Sequence, residues 1–421
     1  YLPSGYTPEK RWPILYAFDP LARGRVPVER FSEAAEKYGW IIAGSNNSRN
    51  GPLRPSLAAV AGLLDDTQKR LSVDARRIYT TGFSGGARVA VRVGYLCGNC
   101  VAGVIACGAG FPVDITPSVP VPFALFGMVG TNDFNFPELK RLDGALDKLG
   151  AAHRVETFDG AHTWAPKELC AAAVEWMELQ AMRAGTRGRD AALVETLWTK
   201  GLGRARAFED GKRPLDAYRV YAALAADFAG LRDVAEAEGK AARLKSTKEV
   251  RAAAGEEEEE IRRQQRIAGD LESHLAMRGD ADNGAVAAAS FRHAVAELRR
   301  KSGGAKDTGE RRVARRTLNQ MFARYYEAAM NLRQRQGKPG LIAANLEVAA
   351  EIAPDNPHIL YELACAYSLN GERKKAIAAL RRAVEKGFAD VAEIIGNKAL
   401  DPLRGEAGYR ELIDGLNKKQ P

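Results

Sequence analysis

Two hydrophobic patterns divide the chain. Over residues 1–186, short apolar runs of strand length alternate with stretches whose apolar residues recur every three or four positions, the signature of strands and helices laid down in turn. The runs 13–18, 40–44, 77–81, 101–107, 123–130 and 154–158 predict strands. They are apolar at nearly every position, as burial on both faces of a parallel sheet requires. Helical periodicity fills the gaps at 28–38, 57–71, 87–96, 137–149 and 166–184. The prediction is an α/β domain with a mostly parallel sheet over 1–186. From Leu193 onward the strand signals stop and helical patterns rich in Ala, Glu, Arg and Leu take over. An all-α domain is expected over 193–421.

The helical half repeats itself. In 357–390 the close-packing positions are Leu360, Leu363, Ala364, Tyr367, Gly371, Ala376, Leu380 and Ala383. The preceding segment, 323–356, offers Tyr326, Ala329, Met330, Gly337, Ile342, Leu346, Ala349 and Pro354 in the same register. Small residues where helices touch and a glycine at the turn are what a stack of helix pairs needs. A weaker pair is expected at 193–210 with 213–228. The acidic run 256–260 reads as a solvated helix face, and 409–416 as a helix closing the last apolar face of the stack.

Candidate chemistry gathers at the C-terminal ends of the predicted strands, where open parallel sheets build their sites. The third strand runs into Gly82-Phe83-Ser84-Gly85-Gly86 and then a helix opened by small residues. A serine on so sharp a strand-to-helix turn has a strained backbone, and its neighbours two before and two after must lack a Cβ. The fifth strand ends in Gly130-Thr131-Asn132-Asp133, and past the sixth comes Gly160-Ala161-His162-Thr163-Trp164. Of five histidines, His162 alone follows a strand of the sheet. It is placed to take a proton from Ser84, with Asp133 holding its other nitrogen; helix capping is the plain alternative for Asp133. The loop after the first strand, Phe18-Asp19-Pro20-Leu21, faces the serine turn. Pro20 has no N–H, so Leu21 and Gly85 are the expected backbone donors to an oxyanion, although Asp-Pro also suits a simple turn. The polar loop 45–52, with Asn46 and Asn47, either lines a substrate cleft or is ordinary turn chemistry.

These motifs resemble the polyhydroxybutyrate-depolymerase-like esterase branch of the α/β-hydrolases over about 185 residues, and 323–390 resembles tetratricopeptide repeats. The resemblance implies a serine esterase working through an acyl-enzyme, with Ser84, Asp133 and His162 catalytic, Trp164 beside the substrate, and neither cofactor nor metal. Prolyl-peptidase-like amide cleavage is the alternative within the same fold, and a repeat scaffold carrying a degenerate hydrolase domain is the non-enzymatic one. Asp19-Pro20 departs from the His-Gly pair usual in the oxyanion loop. The antiparallel edge of such a sheet is absent from the predicted strands or supplied upstream. Segment 111–120 is too short for a cap domain, so an open cleft for an ester or peptide is expected. The repeats imply a protein partner.

Composition narrows this further. The net charge of +9 is spread along helices and interleaved with glutamates, without the aromatic-basic cluster of a nucleic-acid site. No apolar run approaches the roughly 20 residues of a membrane span. Five cysteines do not make a disulfide framework. Cys97 and Cys100 are expected as two partly buried thiols, with a local disulfide as the second reading and no zinc site, since no further ligands stand near. The first residue, Tyr1, points to a removed leader or a trimmed chain, which favours a periplasmic or secreted setting over the cytoplasm.

Overall fold

A computed structural model describes residues 1–118 and 120–417. The first part of the chain forms β1 (Trp12–Phe18), α1 (Arg25–Tyr38), β2 (Ile41–Ser45), α2 (Leu53–Arg70), β3 (Val73–Phe83), α3 (Gly85–Leu96), β4 (Gly103–Cys107), β5 (Ala124–Gly130), α4 (Phe136–Lys148), β6 (His153–Phe158) and α5 (Lys167–Arg183). The six strands make one sheet in the order β2-β1-β3-β4-β5-β6, and every neighbouring pair is parallel. This arrangement is consistent with the α/β-hydrolase fold.

Alternation along the strands sorts the core into two layers. Ile14, Tyr16 and Phe18 of β1 pack with Val89 and Val93 of α3 and Leu139 of α4. Leu15 and Ala17 face the other way, toward Phe31 of α1 and Trp176 and Met177 of α5. Both faces are covered, so β1 and β5 are buried along their whole length. Strand order reverses between β1 and β3, and the loops leaving their C-terminal ends diverge there to leave a crevice. No helix or strand is described between β4 and β5, so no cap domain enters at that point.

Contacts divide the chain into two compact units, Tyr1–Arg262 and Arg263–Pro421. The first therefore includes α6 (Ala191–Asp210), α7 (Pro214–Phe228), α8 (Ala235–Lys245) and the start of α9 (Lys248–Ala276). The change from strand to helix signals near 187–192 marks a change of secondary-structure class, and compactness carries on past it. The reason is a shared core. Leu179 and Met182 of α5 pack with Trp198, Leu202, Tyr221 and Phe228 of α6 and α7. Buried charge reinforces it. Asp227 of α7 accepts from Trp176 Nε1 at 2.7 Å and from Arg154 of β6 at 3.1 Å, and Arg204 of α6 pairs with Glu156 of β6 at 2.7 Å. Within the acidic run, Glu257 is not simply solvated: it meets Arg219 at 2.6 Å and Lys140 at 3.4 Å.

The second unit contains α10 (Gly284–Ser302), α11 (Gly309–Gln334), α12 (Pro339–Ile352), α13 (Pro357–Leu369), α14 (Arg373–Glu385), α15 (Val391–Gly396) and α16 (Ala407–Asn417), with no strand among its described residues. Leu346, Ala349, Leu360, Ala364, Ala376 and Leu380 share one core, to which Tyr409 and Leu416 of α16 belong. Among the described residues, no helix is long and apolar enough to cross a membrane.

Candidate active site

Ser84 stands between β3 and α3 with φ 53° and ψ −119°, a region that side chains with a Cβ avoid. The glycines around it are sterically required. A Cβ on Gly82 would lie 2.2 Å from the Gly86 carbonyl, and one on Gly86 would lie 2.1 Å from the Phe18 carbonyl oxygen. The turn is anchored from behind, where the Ser84 N–H donates to the Cys107 carbonyl of β4 at 2.8 Å.

The turn brings the serine hydroxyl to 2.9 Å from His162 Nε2. On the other side of the ring, Nδ1 lies 2.9 Å from both carboxylate oxygens of Asp133. Asp133 is fully buried, and the His162 side chain is 19% exposed. The imidazole is sandwiched by Phe83 and Phe134, with ring centroids at 4.6 and 4.2 Å, which limits its rotation. Asp133 also receives the Asn135 N–H at 2.8 Å, so one carboxylate shapes the turn before α4 and faces the histidine. Arg88 of α3 pairs with Glu138 of α4 at 2.7 Å, and Glu138 accepts the Gly110 N–H at 2.8 Å. These bonds tie the serine helix to α4, which follows the acid, and tie α4 to the loop after β4. The sequence offers no signal for them. His153 stands at the start of β6, at the other end of the sheet, where Asp143 lies 3.4 Å from its Nε2. Burial alone would lower its pKa. The hydrogen bond to Asp143, with the Ala151 carbonyl and Asp147, outweighs this and raises it above the usual value.

The loop after β1 departs from expectation. Leu21 N–H donates to Asp19 Oδ1 at 2.9 Å, so the expected oxyanion donor is already engaged by a carboxylate in its own turn. Asp19 is fully buried. It also receives Arg23 at 3.0 and 3.1 Å and the Trp164 indole N–H at 2.9 Å. Burial pushes its carboxyl up, but the donors from Arg23, Trp164 and Leu21 hold it below the usual carboxylate value. Trp164 is 4% exposed and packs on Phe31 and Phe83 while its indole holds Asp19, so it offers little surface to a cleft. Gly85 opens α3, where first-turn N–H groups have no partner within the helix.

The polar loop after β2 splits. Asn46, although exposed, accepts the Gly24 N–H through its side-chain oxygen at 3.0 Å, which braces the start of α1. Asn47 is exposed. Asn50, in the same polar loop, lies against the serine turn: a Cβ on Gly85 would meet its Oδ1 at 1.9 Å. Cys97 and Cys100 are joined in a disulfide, against the thiol expectation. Gly98 and Asn99 both take left-handed backbone angles, and the turn they make brings the two Cα atoms to 5.6 Å. Cys107, Cys170 and Cys365 are free and buried. Among the described residues no group of three or more His, Cys, Asp or Glu could hold a metal ion.

Compared with protein-family models the sequence matches none, and it matches no curated protein. Among solved structures the chain is similar to S-formylglutathione hydrolase from Staphylococcus aureus, at 15% identity, covering 41% of this chain and 84% of that one with a TM-score of 0.33. It is similar to a ferulic acid esterase at 16% identity, covering 41% and 86% with a TM-score of 0.33. It is also similar to acylaminoacyl peptidase from Pyrococcus horikoshii at 13% identity, covering 42% and 38% with a TM-score of 0.32.

Proposed function

We propose that the sheet-bearing part of the chain is a serine hydrolase that cleaves carboxylic esters through an acyl-enzyme. The observation that carries this is the row Ser84 Oγ, His162 and Asp133, with 2.9 Å on each side of the ring, at a serine whose backbone is held in a strained conformation.

In this reading Ser84 Oγ attacks the ester carbonyl carbon while His162 Nε2 takes its proton. The new C–O bond turns the carbonyl oxygen into an oxyanion, which the Gly85 N–H stabilises together with a second donor. Asp133 accepts the Nδ1–H throughout, fixing the tautomer and stabilising the imidazolium. The C–O bond to the leaving alkoxy group then breaks, His162 returns the proton to it, and an alcohol departs. Water repeats the sequence on the acyl-serine: His162 takes one of its protons, the carboxylic acid is released, and Ser84 is protonated again.

The helical part is read as tetratricopeptide-like and protein-binding. Two helix hairpins support this: α12 and α14 begin at Pro339 and Arg373, and α11 and α13 end at Gln334 and Leu369, near the spacing of about 34 residues such repeats have. An oxidising compartment, periplasmic or extracellular, suits the Cys97–Cys100 disulfide.

A fluorophosphonate probe tests the proposal. The parent protein should be labelled at Ser84 and should hydrolyse p-nitrophenyl acyl esters, and Ser84→Ala should do neither. An unlabelled parent overturns the hydrolase reading, and faster cleavage of peptide anilides than of esters would move it to a peptidase.

A further inference from the structure

An oxyanion hole with one donor is incomplete, and the loop after β1 does not complete it. Pro20 has no N–H, Leu21 N–H is bound to Asp19 Oδ1 at 2.9 Å, Ala22 N–H goes to the Asp19 carbonyl at 3.0 Å, and Gly24 N–H goes to Asn46. The N–H groups of Leu21, Ala22 and Gly24 are therefore already engaged.

A side-chain donor stands beside it. Asn50 is tied to this loop through its backbone: its N–H donates to the Pro20 carbonyl at 2.8 Å, and its neighbour Arg49 bridges to Leu21. Its amide lies over Gly85, the residue that follows the serine. A Cβ on Gly85 would sit 1.9 Å from Asn50 Oδ1 and 3.4 Å from Nδ2. Glycine at 85 leaves room for the exposed Asn50 amide; the atoms met here are a side-chain tip, where Gly82 and Gly86 face backbone. Among the described residues, the Asn50 side chain makes no hydrogen bond. A primary amide carries two N–H donors, and its terminal torsion is broad and nearly two-fold. A half turn brings the NH₂ group to the Gly85 side when negative charge develops there.

We propose that the Asn50 side-chain amide is the second oxyanion donor, acting with the Gly85 N–H in place of the occupied Leu21 N–H. This rests on the serine-hydrolase reading above. Asn50 is then a catalytic residue that binds only the tetrahedral intermediates. No covalent bond to it forms or breaks.

The test compares parent, Asn50→Ala and the isosteric Asn50→Asp, each checked for folding by circular dichroism. Substrates are p-nitrophenyl acetate and its thionoester, whose sulfur is a poor hydrogen-bond acceptor. Both variants should lose about 10²–10³ in kcat on the oxoester, with KM within about threefold of the parent. The oxoester-to-thionoester rate ratio should shrink by about tenfold or more, because the lost donor favoured oxygen. A kcat within about threefold of the parent, or a fall in kcat with the ratio unchanged, overturns the role of Asn50 and leaves the hydrolase reading intact. A parent that neither labels at Ser84 nor turns over ester overturns both.

Discussion

The indole of Trp164 donates to Asp19 Oδ2 at 2.9 Å across 145 positions of sequence, so the loop after β1 and the loop that carries His162 are held by one buried bond. Trp164→Phe keeps the ring packing and deletes the donor, leaving Arg23 at 3.1 Å on that oxygen. The loss should be about 1–2 kcal/mol in urea unfolding. Because His162 lies two residues away, kcat/KM on an acyl ester should also fall by about tenfold, since a small misplacement of a catalytic group is expensive. Unchanged turnover in a folded variant would separate the two loops functionally.

Gly82→Ala should be among the most damaging single changes in the sheet. Its Cβ would meet backbone of Gly86 at 2.2 Å, and backbone does not give way as a side-chain tip does. A loss of about 3 kcal/mol or more is expected, along with loss of fluorophosphonate labelling at Ser84. Gly62→Ala is the contrasting control. Gly62 is exposed within α2 and nothing lies within 4 Å of an added Cβ, so this change should stabilise by about 0.5–1 kcal/mol. Two melting curves decide both.

Acid should weaken the attachment of α6 and α7 to β6. Burial alone would raise the Glu156 pKa, but Arg154 and Arg204 outweigh it and bring it down to about 2 from 4.5. A depressed carboxyl stabilises the fold fully above its unfolded value and loses that contribution as pH falls through the folded one. The stability gap between the parent and Glu156→Gln should therefore be full at pH 7, on the order of 3 kcal/mol, and should close between about pH 4.5 and 2. A gap that does not change with pH would remove Glu156 from this role.

Truncation should distinguish the two possible ends of the first unit. A fragment ending at 262 keeps the core shared by α5, α6 and α7. One ending at 192 uncovers Leu179 and Met182 and removes Asp227 from Trp176 and Arg154. The shorter fragment should aggregate in size-exclusion chromatography, and the longer one should run as a single folded species. Equal behaviour would show that α6 and α7 are dispensable to the sheet.

How much of this could be read in advance depends on whether a feature is local in sequence. The strands were legible because parallel strands covered on both faces are continuous apolar runs. β3 was underestimated at its start, Val73, because Asp74 and Arg76 lie at its more exposed N-terminal end. Ser84, Asp133 and His162 were legible because each follows a strand end within a compact motif, and the sheet converts that chain order into adjacency. The engagement of Leu21 by Asp19 was not legible, since Asp-Pro serves equally well in an open loop and in a closed turn. Nor was the bond from Trp164 to Asp19, 145 positions away. The Cys97–Cys100 bond depended on two consecutive left-handed residues, and Asn99 does not require that conformation.

The backbone angle of Ser84 has a consequence for how this chain can drift. At φ 53° glycine would be at ease and serine is not, and the hydroxyl's hydrogen bond is to His162, outside the packed core. Folding stability alone therefore pulls this position toward glycine. A lineage freed from the need for a nucleophile should lose the serine early and keep the sheet, so the side chain at 84 reports use more directly than it reports architecture.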